Sequence, residues 1–246
     1  MSMLGRATWR ELMDDRPLLV LPLGSTEQHG PHLPLDTDTR VASAVAHGLA
    51  DRLEPLLIGP VMPYGASGEH AGFPGTVSLG TQVLEQAVVE LVRSADDTAR
   101  AVVVVNGHGG NTAALQSARR ILAGEGRPVH LWAPTAALAG AVGVPAAERD
   151  LHAGRSETSL LLHLAPDLVR LDLAAAGPSP SLDELMAHGV ATLSPSGVLG
   201  NPAGASAAEG ARLLDAYVDN AVERLLSWAR RHGITPPAVR PVDRSA

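Results

Sequence analysis

The chain has no cysteine, and each of its 19 basic residues counted as Lys plus Arg is an arginine. Without thiols there can be neither a disulfide framework nor a thiolate metal site, so any metal must be held by His, Asp and Glu. The missing lysine removes Schiff-base chemistry, the phosphate-loop lysine and any Ser-Lys dyad. No Gly-x-Ser-x-Gly elbow occurs either, which removes the usual serine hydrolase arrangement. Aromatic residues make up 2% of the chain against 45% hydrophobic residues, so the core must be built mainly of Leu, Val and Ala. No apolar run approaches the roughly 20 residues of a membrane span, and Met1 to Arg16 lacks the apolar core of a signal sequence. The formal net charge of -7 argues against nucleic acid and anionic membrane as partners. A cytoplasmic protein is the expectation.

What is present is a stretch of converging ligand types. Leu21-Pro-Leu-Gly-Ser-Thr-Glu-Gln-His-Gly-Pro-His-Leu-Pro-Leu-Asp-Thr-Asp-Thr39 follows a buried strand read over 17–23 and precedes a helix read from about Arg40 to Leu53. Side chains two apart on an extended backbone point the same way, which pairs Glu27 with His29 and Asp36 with Asp38. Oxygen and imidazole donors gathered at a strand end suit a divalent metal, and this is read as half of such a site.

Further along, 56–63 reads as a second strand and 81–99 as an amphipathic helix. Between them the glycine-rich loop 64–76 carries Glu69, His70 and the single Phe, and its place after a strand makes it a candidate substrate loop. Ala101-Val-Val-Val-Val105 is the clearest buried strand and runs into Asn106-Gly-His-Gly-Gly-Asn111, with a helix over 112–122. A histidine between glycines at the carboxyl end of a central strand, ahead of a helix, stands where open α/β sheets keep their ligands. The same loop lacks the third glycine of a dinucleotide fingerprint, because Thr112 occupies that place. Strand 128–134 follows, and then Asp150-Leu-His-Ala-Gly-Arg-Ser-Glu-Thr-Ser159, in which Ser156 is read as a helix N-cap. Glu157 there either complements the helix dipole or serves as a metal carboxylate beside His152. Segments 174–181 and 196–202 read as loops, and 206–231 as the last long helix.

Strands covered on both faces, alternating with helices, imply a single α/β domain around a parallel or mixed sheet. The domain is read over residues 1–232. A proline-rich tail, 233–246, is expected to be loose or packed on a neighbouring subunit.

Four motifs carry a resemblance. Gly-Ser-Thr-Glu-Gln-His-Gly-Pro-His-Leu-Pro-Leu-Asp-Thr-Asp, Glu-His-Ala-Gly-Phe-Pro-Gly-Thr, Asn-Gly-His-Gly-Gly-Asn and His-Ala-Gly-Arg-Ser-Glu-Thr-Ser, in that order, resemble the creatininase (creatinine amidohydrolase) family, and Gly197-Val-Leu-Gly-Asn-Pro resembles its late glycine motif. The resemblance implies a single-domain three-layer αβα sandwich around a mostly parallel sheet, and a homo-oligomer, commonly a hexamer, with two divalent metals per subunit, Zn, Fe or Mn. Carried over by position, Glu27, Asp38 and His108 would hold one metal; His29, Asp38 and a second carboxylate would hold the other. Creatininase itself carries a Glu two residues after the motif histidine, where this chain has Gly110. Glu157 is the candidate to replace it.

The wording of the loop 64–76 and of the segment around His152 is most like a branch that removes a C-terminal Val-Tyr-derived dipeptide from a modified precursor peptide. Peptide hydrolysis is therefore the leading expectation. A small-molecule amidohydrolase acting on a cyclic amide or formamide is the second, and a metal-free peptide-binding or partner-binding protein the third. His152 is read as the general acid for the departing amine, or as a hydrogen-bond partner of a ligand. Arg155 is expected to bind a substrate carboxylate, with Glu69, His70, Asn106 and Gly109 also touching substrate.

Overall fold

Apolar residues alternate between two sides of one sheet, and that alternation produces three layers. The computed structural model describes residues 2–13, 16–145 and 150–240. Its strands are β1 (Ser2–Met3), β2 (Leu18–Leu23), β3 (Leu53–Glu54), β4 (Leu56–Ile58), β5 (Ala101–Asn106), β6 (Val129–Trp132) and β7 (Ala238–Val239). The helices are α1 (Thr37–Arg52), α2 (Thr81–Ser94), α3 (Thr112–Gly124), α4 (Ala136–Ala141), α5 (Arg155–Leu164), α6 (Leu182–His188), α7 (Val190–Leu193) and α8 (Ala207–Arg231).

The sheet runs in the order β1-β4-β2-β5-β6, and every neighbouring pair is parallel. Leu18, Val20, Val103 and Val105 face one way, into a core with Val41, Leu49, Leu160, Leu161, Tyr217 and Trp228 from α1, α5 and α8. Leu19, Leu21, Val102 and Val104 face the other, against Leu84, Val88, Leu115 and Leu122 of α2 and α3. Each of these layers depends on aliphatic packing, where a Leu→Ala change typically costs about 2–5 kcal/mol. The expected αβα sandwich with a mostly parallel sheet is what the chain forms. Among the described residues no helix is long and apolar enough to cross a membrane.

Three local readings are corrected. Helix α1 starts at Thr37, because Thr37 Oγ1 donates to the Pro34 carbonyl at 2.7 Å and the Arg40 N–H to the Asp36 carbonyl at 3.0 Å. Two residues at a helix start are about 200° apart rather than on one side. Asp38 therefore turns into the protein, while Asp36 stays at the surface with Arg40, 2.8 Å away. The cap of α5 is not Ser156; its N–H is held by Asp150 Oδ2 at 2.6 Å. The tail packs on its own chain: β7 pairs antiparallel with β3, and Arg240 meets Glu54 at 3.0 Å. Residues 241–246, with Pro241, lie outside the described residues.

Candidate metal centre

Parallel strands in register end together, and this brings distant sequence to one place. Leu23 at the end of β2 lies opposite Asn106 at the end of β5, so the segments that follow leave the sheet side by side. The first turn of α1 closes over both exits. A Cβ on Gly107 would overlap the Asp38 main-chain carbonyl, so only glycine lets the chain leaving β5 pass that turn. The first turn of α5 brings Glu157 from the far side, behind His152 and a backbone bridge in which the His152 N–H donates to the Leu199 carbonyl at 3.0 Å and the His152 carbonyl accepts from the Leu199 N–H at 2.8 Å.

Asp38 is the centre of the result. Its Oδ1 lies 3.1 Å from His29 Nε2, and its Oδ2 lies 3.2 Å from His108 Nδ1 and accepts from Ser25 Oγ at 2.6 Å. Three groups of donor atoms, the atoms of each within 4.8 Å of one another, form here; two contain Asp38, namely Glu27, Asp38 and His108, and His29, Asp38 and Glu157, and the third joins Glu27, His29 and His152. His29 Nδ1 faces the Glu27 carbonyl at 3.1 Å, and donation there leaves Nε2 directed at Asp38. Both Glu27 carboxylate oxygens are fully buried without a hydrogen bond; the nitrogens of His70 and His108 stand 3.2 Å away but out of line. Buried charge left this way is costly unless a cation completes it. Oxygen and imidazole donors gathered within 4.8 Å of one another fit divalent Zn, Mn or Fe.

The electrostatics agree with that reading. Burial pushes Glu27 up to about 7, with Asp38 adding to the shift and His108 opposing it. Burial likewise raises Glu157 to about 7, against the pull of His29. Burial disfavours charge on His29, yet Asp38, Glu157 and Glu27 around it carry it up to about 10. His108 goes well up for the same reason, burial being outweighed by Glu27 and Asp38. Asp38 is buried too, but His29 and His108 hold it well below the usual carboxylate range.

The other expected site residues divide. Glu69 and His70 do reach the cluster from the glycine-rich loop: Glu69 Oε1 is 3.2 Å from His108 Nε2, and His70 Nε2 is 3.2 Å from Glu27. His152 rests its Nε2 on the Gln28 carbonyl at 2.7 Å and stacks on His29 and His70, both at 4.3 Å. Gly109 borders a cleft of about 230 Å³ shared with Asp38, Glu157, Asp150, Leu160 and Tyr217. Asn106 does not face that cleft; its amide spans the turn, donating to the His108 carbonyl at 2.7 Å and accepting from Asn111 at 2.9 Å. Arg155 is turned away as well, because Glu209, 3% exposed on α8, takes its guanidinium through contacts of 2.8 to 3.1 Å.

Sequence reading missed Gln28. Its amide nitrogen reaches His70 Nδ1 at 2.9 Å, His152 Nε2 at 3.1 Å and the Gly197 carbonyl at 3.2 Å. A Cβ on Gly197 would overlap the Gln28 side chain, which gives the late glycine motif its place. Asp150, the cap of α5 and a wall of the cleft, was also passed over.

The creatininase profile, described as creatinine amidohydrolase, matches residues 5–225. The chain belongs to the creatininase family. It is 46% identical over 236 residues to the mycofactocin precursor peptide peptidase of Mycolicibacterium smegmatis, 92% of each chain being covered. A solved structure described as Creatininase Mn superposes with a TM-score of 0.78 at 28% identity, covering 92% of this chain and 98% of its own. A Glu-to-Gln mutant creatininase of the Zn-Zn type matches with the same score, identity and coverage. Family members with these names hydrolyse C–N amide bonds, and the chain is an enzyme of that class. Its oxygen and nitrogen clusters match the metal dependence of the creatininases.

Proposed function

We propose that the chain is a dinuclear metal-dependent peptidase that releases a C-terminal Val-Tyr-derived dipeptide from the modified mycofactocin precursor peptide. The observation that carries the dinuclear part is Asp38, which belongs to two donor groups at once, one with Glu27 and His108 and one with His29 and Glu157. The peptide part is supported by the 46% identity to a precursor peptide peptidase along 92% of the chain. The absence of a Glu at Gly110, where creatininase carries one, weighs against creatinine itself.

Two divalent ions, when bound, supply an acidified water and polarisation of the amide carbonyl. The chain does the rest. Asp38 would bridge, Glu27 and His108 would complete one side, and His29 and Glu157 the other. His152 is buried and neutral: burial first, then His29 and His70, hold it well below the usual histidine range. With Nε2–H fixed on the Gln28 carbonyl, its Nδ1 lies 3.8 Å from Glu27 and is free to take the proton of the attacking water. It would then return that proton to the departing amine. The cleft beside Glu157, walled by Val41, Leu151, Leu160 and Tyr217, offers apolar room for a substrate side chain.

Mass spectrometry of the modified precursor peptide, creatinine and a formamide, each incubated with and without chelator, tests the reading. Release of the dipeptide alone, abolished by chelator, is expected. Turnover of creatinine or the formamide in its place overturns the peptidase; cleavage untouched by chelator overturns the metal. Homo-oligomeric assembly, with a hexamer favoured, is part of the proposal. It is supported by the exposed Leu168, Leu171, Leu173, Leu182 and Met186, which a second copy would cover.

A further inference from the structure

A side chain at position 110 would have no room, and what fills that room is a carboxylate. A Cβ built on Gly110 overlaps Glu69 Oε1, His108 Nε2 and the Ala66 carbonyl. Glu69 comes from a different loop, whose position does not depend on it: the Ala66 N–H donates to Asn111 Oδ1 at 2.8 Å and the Ser67 N–H to Ser78 Oγ at 2.8 Å. Its side chain is only 11% exposed and turns inward, with Oε1 3.2 Å from His108 Nε2. The opposite ring nitrogen, Nδ1, faces Asp38 at 3.2 Å.

An imidazole that binds a metal through one nitrogen needs its ring plane and tautomer fixed, and a carboxylate on the ring is the usual device. Glu27 also stands 3.2 Å from Nε2, but Glu27 is already in the donor groups; Glu69 is the carboxylate on this ring that belongs to none of them. We infer that Glu69 is a positioning residue of the metal centre, holding His108 from the loop side in the space that Gly110 leaves open, rather than a contact for substrate. The inference rests on the metal-dependent reading above and deepens it.

The test is metal affinity of the whole chain, measured by chelator competition with Zn2+, alongside circular dichroism to confirm folding. Glu69→Ala is expected to weaken the tighter site by about 10- to 100-fold, the range typical of such partners. Glu69→Gln, which keeps an oxygen acceptor without the charge, should fall between Glu69→Ala and wild type. Zinc affinity unchanged in a folded Glu69→Ala protein would overturn the inference and leave the metalloenzyme standing. Failure of the wild-type chain to bind divalent metal would overturn both.

Discussion

Four histidines share one buried pocket, and they divide into two pairs, one against Asp38 and one against Gln28. His29 and His108 lie against Asp38, at 3.1 and 3.2 Å. His70 and His152 lie against the amide of Gln28, at 2.9 and 3.1 Å. Burial acts on all four in the same direction, against charge. Carboxylates reverse it for the first pair, Asp38 foremost at His29, which rises to about 10, and Glu27 with Asp38 at His108, while burial and the neighbouring His108 take His70 down to about 3. A pocket of uniform depth thus holds two imidazoles that attract a proton or a metal and two that stay neutral. In the proposed mechanism the ligands lie against Asp38 and the proton carrier against Gln28.

Removing the carboxylate should break the comparison most completely. Asp38→Asn turns the first pair into a copy of the second: both imidazoles should titrate lower by NMR, and metal content should collapse. Partners that only orient a ligand already cost 10- to 100-fold, so loss of a shared ligand should cost activity by more than about a hundredfold. Retention of metal and activity would mean that Asp38 is not the bridge.

The converse variant is Gln28→Glu. It places a carboxylate against His70 and His152, which should both titrate upward, and it deprives the His152 Nδ1 of its role as a neutral acceptor. Activity should fall by about 10-fold or more while Asp38 and its pair still hold metal, a split visible in metal analysis set beside turnover. Unchanged turnover would remove His152 from the proton path.

Much of this pocket can be read from the sequence, for a physical reason. Glu27, His29, Asp38 and His108 sit just beyond apolar strands, among glycines and prolines that have no other reason to be there, and such ends are where a parallel sheet gathers ligands. The layers are equally legible, since a strand such as Ala101–Asn106, buried residue for residue, demands cover on both faces. Gln28 was not legible, because its value lies in three partners 42, 124 and 169 residues away. Arg155 misled for a similar reason: its motif neighbours turn toward the cleft, but Glu209, 54 residues on, decides where its charge goes. The start of α1 was missed because Thr37 and the Pro34 carbonyl set it, outside any hydrophobic period.

Smaller effects follow from pH. His29 is raised from 6.5 to about 10 in the metal-free chain, so it contributes stability that is present below pH 6.5 and is lost as pH climbs through 10; His108 acts in the same sense. Glu27 and Glu157, raised from 4.5 to about 7, lose the last of their contribution as pH climbs through 7, in the same sense. The Gln28 pair acts on the acid side, since His70, lowered from 6.5 to about 3, contributes stability that is lost as pH falls below 6.5. Between pH 7 and 9.5 the melting temperature of metal-free protein should therefore drop by at least about 5 °C, at 2–4 °C per kcal/mol for a chain of this size. Metal-loaded protein, whose imidazoles no longer carry the extra protons, should stay flat over the same range in calorimetry. Parallel curves for the two forms would contradict the assignment of His29 and His108 as ligands.

The smallest effect on chemistry is expected at Arg155, which marks the outer edge of the pocket. Its guanidinium lies on Glu209, whose Oε1 also accepts from Ser159 Oγ at 2.8 Å, so this pair ties α5 to α8 rather than serving the cleft. Arg155→Ala leaves a carboxylate that is 3% exposed with only hydroxyl support, a loss of about 1–3 kcal/mol of stability. Neither histidine pair touches it, so zinc affinity, the imidazole titrations and KM should all stay near wild type. Free-acid and C-terminally amidated peptides should then be cut by Arg155→Ala in the same ratio as by the parent enzyme. A tenfold rise in KM confined to the free acid, with the melting temperature unmoved, would show instead that the guanidinium leaves Glu209 for the substrate. In that case the charge that the fold spends on holding two helices together would be the one that selects a chain terminus.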